Sequence, residues 1–240
     1  MEKNYKSMNA IKVGIYSAWL LAIFALLTFI LALIAVPPSG PYCPGNCMNY
    51  PYPDILTYFP RDYYWMYLVV IQLCLFLILM IANHFNAPVE KKIYTLISVA
   101  FAIISTTILL ADYFLQFSVI PISVMKDQTD GIALLTQYNG HGIFIALEEL
   151  GYSMMSIAFL FLSPAYTMKN RLEKVLHWVL LLPFILNTFA FIYYSVQFGL
   201  DRDYRFEVAT LSINWLASII SGILLGIFYR RKIKEIEEAA

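Results

Sequence analysis

Long apolar stretches alternate with short polar segments along the whole chain. The six stretches cover about residues 13–36, 64–82, 93–117, 143–166, 176–200 and 208–229. Because the hydrocarbon core of a bilayer is roughly 30 Å thick and a crossing helix needs about 20 apolar residues, each stretch is long enough to cross a membrane. The pattern predicts an all-α, polytopic membrane protein whose single domain, residues 1–240, is a bundle of six transmembrane helices.

The composition agrees with this class. Of the 240 residues, 60% are hydrophobic and 13% are charged, whereas soluble domains average about 25% charged residues. The formal net charge is zero, so nothing indicates a nucleic-acid partner. The expected surroundings are membrane lipids.

Lysine and arginine fall mainly into alternate segments, which predicts the orientation of the bundle. Twelve of the 16 lie before the first stretch, between the second and third, between the fourth and fifth, or after the sixth. Short cytoplasmic segments are enriched in these residues. We therefore expect both termini in the cytoplasm, with a basic and then acidic tail over 230–240, and a location in the cell membrane.

The first outer loop, residues 37–63, contains two cysteines in the run Cys43-Pro44-Gly45-Asn46-Cys47. Pro-Gly favours a tight turn, which would bring the two sulfur atoms together. The predicted outer side is also the oxidising side, where disulfides persist. We predict a structural disulfide between Cys43 and Cys47. A redox-active pair is the less favoured alternative, because the spacing is not Cys-x-x-Cys.

Three carboxyl groups interrupt the apolar stretches: Asp112 in the third, and Glu148 and Glu149 in the fourth. A charge at the bilayer centre costs about 3 kcal/mol on insertion scales, so such groups usually face the protein interior or water. At about 1.5 Å per residue, all three lie in the outer part of the membrane. Consecutive helices are usually neighbours, so we expect an acidic cluster between the third and fourth spans. Adjacent helical positions point about 100° apart, so Glu148 and Glu149 cannot both face one narrow seam. The alternative for one of them is a position at the membrane interface or a hydrogen bond to a tyrosine.

Other polar side chains fall at a similar depth, and we expect them to line one outward-facing cavity with the acids. They are Gln72, Gln116, Tyr152, Tyr194 and Asn214. Gln116 follows Asp112 by four residues and Tyr152 follows Glu148 by four, so each shares a helix face with an acid. The inner halves of the spans are more nearly apolar.

Motifs of known chemistry are missing from the sequence. There is no Walker or dinucleotide-binding motif, no Gly-x-Ser-x-Gly and no His-Glu-x-x-His. His141 precedes Glu148 by seven residues, but glycines flank it and no second ligand has metal-site spacing. We therefore predict no metal and no cofactor.

These observations favour the binding or transport of a small molecule or a proton through an outward-facing, acidic cavity. One alternative is a membrane-embedded enzyme that uses carboxyl groups as acid and base on a lipid or isoprenoid. Another is an accessory or assembly subunit without chemistry. The sequence leaves open whether the protein is an enzyme.

Small residues repeat at four-residue spacing in the sixth stretch, at Ser218, Gly222 and Gly226. Such a stripe lets two helix backbones approach closely. It predicts close packing within the bundle or, as the alternative, a homodimer through this face.

Overall fold

The computed structural model describes residues 2–35 and 37–238, with side chains from residue 8 onward. This part of the chain contains nine α-helices and no β-strand. The helices are α1 (Glu2–Ile34), α2 (Ile55–Tyr58), α3 (Tyr64–Asn86), α4 (Lys92–Ser118), α5 (Ile120–Met125), α6 (Ile132–Leu135), α7 (Ile143–Leu162), α8 (Arg171–Phe198) and α9 (Tyr204–Glu238). Six of them, α1, α3, α4, α7, α8 and α9, are long and apolar enough to cross a membrane, which confirms the predicted fold class.

Several helices extend beyond the predicted apolar stretches. Helix α1 begins at Glu2 rather than near residue 13, and α9 covers Tyr204–Glu238 rather than 208–229. The added ends are rich in lysine, arginine and glutamate, which favour helices although they are polar. Hydropathy marks only the part of a helix that suits the hydrocarbon, so the polar ends were missed.

The six long helices form a ring in the order α1, α3, α4, α7, α8, α9, and α9 packs back against α1. Helix α7 also packs across the ring against α9. As the sequence analysis expects, α4 and α7 are neighbours. Helix α8 lies outermost, because only a narrow stripe of its side chains is buried against α7 and α9.

The small residues of α9 bring it into close contact with α1. A Cβ atom on Gly222 would lie 2.7 Å from the carbonyl oxygen of Ala18, and one on Gly226 would lie 2.6 Å from Nε1 of Trp19. Ser218 is fully buried on the same stripe. This face is therefore filled by α1 of the same chain, and a homodimer through it would require α1 to move away.

Two connecting segments, residues 37–63 and 119–142, cover one end of the bundle, and we call them the cap. They share a small apolar core, which contains Met48, Ile55, Ile120, Ile132 and Tyr138. Cys43 and Cys47 are bonded within the cap, with sulfur atoms 2.08 Å apart. We call the covered end of the bundle the cap end. The opposite end is where α1 begins and α9 ends.

The charge distribution predicts that the cap lies outside the cell, and single cysteines test this orientation. Gln128 in the cap and Lys234 near the end of α9 are both exposed. In a Cys74→Ser background, we expect a membrane-impermeant maleimide to label Gln128→Cys on intact cells. Lys234→Cys should be labelled only after permeabilisation. The reverse pattern would contradict the predicted orientation.

Candidate functional site

A cavity of about 200 Å³ lies at the cap end of the bundle. Its walls come from the last turns of α1, the first turns of α3, α7 and α9, and parts of the cap. Apolar side chains, prolines and tryptophans make up most of the lining. The other lining residues are Ser39, Tyr42, Asp62, Gln137, Tyr138, Glu148, Tyr204, Glu207 and Ser212.

Two acidic side chains from different helices meet in the wall of this cavity. Glu148 of α7 is 1% exposed and Glu207 of α9 is 7% exposed. Their carboxyl groups lie close enough to interact electrostatically. Because two ionised carboxylates repel each other in a buried site, this arrangement favours a proton on one of the two groups. We therefore expect the pair to hold a proton and to carry at most one negative charge.

A series of hydrogen bonds runs from Glu148 into the bundle. The Tyr113 hydroxyl donates to Oε1 of Glu148 at 2.6 Å, and the Tyr152 hydroxyl lies 2.9 Å from that of Tyr113. Trp215 donates its Nε1–H to the Tyr152 hydroxyl at 2.8 Å. Since each hydroxyl has one proton, all three donors point towards Glu148. This direction favours the negative charge on Glu148 and the shared proton on Glu207.

Glu149 faces away from the cavity, as the angle between adjacent helical positions allows. Its Oε2 lies 2.7 Å from Nη2 of Arg202, in the connection between α8 and α9. The Arg202 guanidinium lies over the rings of Phe191 and Phe206, at 5.1 and 5.5 Å from their centroids. Glu149 therefore belongs to a half-buried ion pair on the far side of α7.

Asp112 lies near the cavity but does not line it. Its side chain is buried in α4, close enough to Glu148 to interact with it electrostatically. Within the described part of the chain, its Oδ2 atom has no hydrogen-bond partner. The sequence analysis expected Asp112, Glu148 and Glu149 to share one cluster. The structure instead pairs Glu148 with Glu207 and leaves Asp112 beside them.

Gln116 has a structural place at the base of the cap. Its amide nitrogen donates to the Leu135 carbonyl, and its amide oxygen accepts from the backbone N–H of Gln137 at 3.0 Å. Gln116 is 2% exposed. Its amide thus fastens the segment after α6 to α4 and does not reach the cavity.

Three further residues that the sequence analysis assigned to the cavity lie elsewhere. Gln72 is completely buried in α3, and no described residue forms a hydrogen bond with its amide. Asn214 is buried in α9 and donates to the backbone carbonyl of Thr210. Tyr194 lies on α8 with its ring stacked on Phe198. Their side chains point in different directions around their helices, so these three residues do not meet at the cavity.

Hydrogen bonds between cap and bundle close the cavity from above. The Ser39 hydroxyl donates to the Tyr138 carbonyl at 2.7 Å and lies 3.0 Å from the Tyr204 hydroxyl. Tyr204 in turn reaches the Gln137 carbonyl at 3.2 Å. Burial raises the pKa of Tyr138, so its hydroxyl stays protonated. Ser39 and Tyr138 are 4% and 3% exposed, so this side of the cavity is sealed.

Sequence reasoning missed Glu207 and Tyr113. Glu207 stands one residue before the predicted sixth span and was treated as part of a loop, whereas α9 begins at Tyr204. The sequence did contain a sign that the sixth helix begins before Glu207. Glu207 shares a helix face with Leu211 and Asn214, four and seven residues later. Tyr113 offered no signal beyond standing next to Asp112.

A second cavity of about 190 Å³ lies at the opposite end of the bundle. Asn83 is in its wall and accepts hydrogen bonds from the hydroxyls of Tyr166 and Tyr229. Large buried side chains such as Phe76 and Phe159 fill the core between the two cavities. Among the described residues, packed side chains therefore separate these two cavities.

One group on the surface has distances that suit a metal ion. His141, Asp201 and Asp203 bring one possible ligand atom each within 4.8 Å of the others. His141 Nε2 lies 3.0 Å from Asp203 Oδ1, and His141 and Asp201 are exposed. Exposed acidic and histidine side chains commonly pair in this way without a metal, so the group does not by itself define a metal centre.

Comparisons with protein-family models, with curated proteins and with solved structures found no match to this chain. The fold and the site define a class: a polytopic helical membrane protein with a carboxyl pair in a cavity at one end of its bundle.

The hydrogen-bond series can be tested by removing its central hydroxyl. In Tyr152→Phe, Trp215 Nε1 loses its acceptor inside the bundle, which should cost about 1–3 kcal/mol. We expect a lower unfolding temperature in detergent, measured by circular dichroism. Tyr193→Phe removes the same atom from an exposed position on α8 and should change little. Equal effects of the two substitutions would contradict the network.

Proposed function

We propose that the protein binds a small organic cation, an ammonium-bearing molecule, in the cap-end cavity. The observation that carries this proposal is the Glu148–Glu207 pair in the cavity wall. No lysine or arginine of the described residues lines the cavity. A third lining carboxyl, Asp62, already has a counter-charge, because Arg61 Nε lies 2.8 Å from its Oδ1. The pair therefore supplies the unneutralised negative charge.

Because this charge is buried, its electrostatic attraction for a cation is stronger than it would be in water. A carboxylate removed from water is costly unless a donor or an opposite charge compensates it. The hydrogen-bond donors that end at Tyr113 stabilise a negative charge on Glu148 from inside the bundle, and not from the cavity. At 4 Å and an effective dielectric constant of about 20, an ammonium group would add a gross attraction of about 4 kcal/mol, reduced by its own desolvation.

The remaining walls suit an organic cation better than a hydrated metal ion. Trp65, Trp215 and Phe144 line the cavity, and aromatic faces attract ammonium groups. A volume of about 200 Å³ is below the roughly 300–1,000 Å³ of pockets that enclose drug-sized ligands. The cavity therefore fits a small amine or the head of a larger molecule.

Binding is better supported than the other functions considered. An accessory subunit without chemistry would need no charged cavity. Transport would require a second conformation, because Phe76, Met155 and Phe159 fill the centre of the bundle in this one. A carboxyl pair that shares a proton also suits acid–base catalysis on a bound amine, and that reaction would begin with the same binding step.

Titration of the purified protein with benzylammonium chloride tests the proposal. We expect a saturable rise in unfolding temperature and, by equilibrium dialysis, bound probe. Benzyl alcohol, which has the same ring and no charge, should give neither. The double variant Glu148→Gln/Glu207→Gln should weaken binding roughly tenfold or more, which is about 1.4 kcal/mol.

Glu149→Gln is the matched control, because it neutralises the adjacent carboxylate that faces Arg202. It should bind benzylammonium like the wild type. The unfolding temperature of each variant without ligand shows whether it is folded. Absence of binding to the wild-type protein, or equal binding by the double variant, would contradict the proposal.

A further inference from the structure

The exposed lining residues of the cavity lie at the end of α1, at the start of α9 and in the adjoining part of the cap. They include Leu33 near the end of α1 and Val208 near the start of α9, at 71% and 41% exposure. Tyr42, which is 45% exposed, lies beside them in the cap. Ser39 and Tyr138 above the cavity are buried and hydrogen-bonded. We call the gap between Leu33 and Val208 the lateral opening.

The packing of α1 against α9 explains why the gap lies at this end. Near the middle of α9, Gly222 allows contact with the backbone of α1 at Ala18, and Gly226 lies against the side chain of Trp19. Towards the cap end no glycine of α9 continues this contact, and larger side chains such as Leu211 line the cavity instead. The cavity therefore lies between the two helices where α9 carries Glu207. The lateral opening lies directly beside the carboxyl pair.

The residues at the edge of the lateral opening are suited to contact with lipid acyl chains. Leu33 and Val208 are apolar and project from membrane-spanning helices. Tyr42 stands at the level of the cap, and tyrosine is typical of the headgroup region. A molecule that enters here comes from the membrane leaflet at the cap end and not from the water above it.

We infer that the ligand is a cationic amphiphile, a single-chain alkylammonium, which enters from this leaflet between α1 and α9. Its ammonium group lies at Glu148 and Glu207, and its alkyl chain leaves past Leu33 and Val208 into the lipid. The small cavity volume agrees, since it holds a head group and leaves the chain outside. This inference rests on the proposed cation binding and specifies the class of ligand and its route.

Photo-crosslinking in phosphatidylcholine nanodiscs tests the inference. The probe is dodecylammonium with a diazirine in its alkyl chain, and labelled peptides are mapped by mass spectrometry. We expect labelling around Leu33 and Val208 that excess dodecylammonium suppresses and excess dodecanol does not. Val196 on α8, 83% exposed, reports labelling from bulk lipid, which neither competitor should change.

The outcomes separate this inference from the proposed function. If benzylammonium binds but labelling at Leu33 and Val208 is no more sensitive to dodecylammonium than labelling at Val196, the lateral route and the amphiphile are wrong and cation binding stands. If neither probe binds, both proposals are wrong. Loss of the competitor-sensitive labelling in folded Glu148→Gln/Glu207→Gln would support the placement of the ammonium group.

Discussion

The close approach of the carboxyl groups of Glu148 and Glu207 is the constraint on which the rest of the site depends. It joins α7 to α9 across the ring, in a region where an unpaired charge would be expensive. The donors Tyr113, Tyr152 and Trp215 stand in series behind Glu148 and fix its position. Without the pair, the cavity would be an apolar gap. With the pair, the cavity has two acidic groups that together carry at most one negative charge.

The architecture creates a place for this pair by packing the bundle unevenly. Near the middle of α9, Gly222 and Gly226 hold it against α1. Towards the cap end the cavity lies between the two helices, and the hydrogen bond between Ser39 and the Tyr138 carbonyl covers part of it. The result is a small, mostly apolar cavity, in which a single charge acts more strongly than it would in water.

Position along the chain was readable from the sequence, whereas direction around each helix was not. Hydropathy located the six spans and the acids within them, and the spacing of Cys43 and Cys47 located the cap disulfide, because each depends on position along the chain. The partner of Glu148 was missed because it required the true start of α9. Tyr194 was assigned to the cavity because its position along the chain does not show that α8 is the outermost helix of the ring. Such directions are set by packing between helices far apart in sequence.

The most direct test of the account is infrared spectroscopy of the carboxyl carbonyl stretch in the purified protein at neutral pH. Protonated and ionised carboxyl groups absorb in separate regions, so the shared proton is visible. The account predicts a protonated-carboxyl band in the wild type that is lost in Glu207→Gln and kept in Glu149→Gln. A spectrum that Glu207→Gln leaves unchanged would show that the pair holds no such proton and would contradict the account.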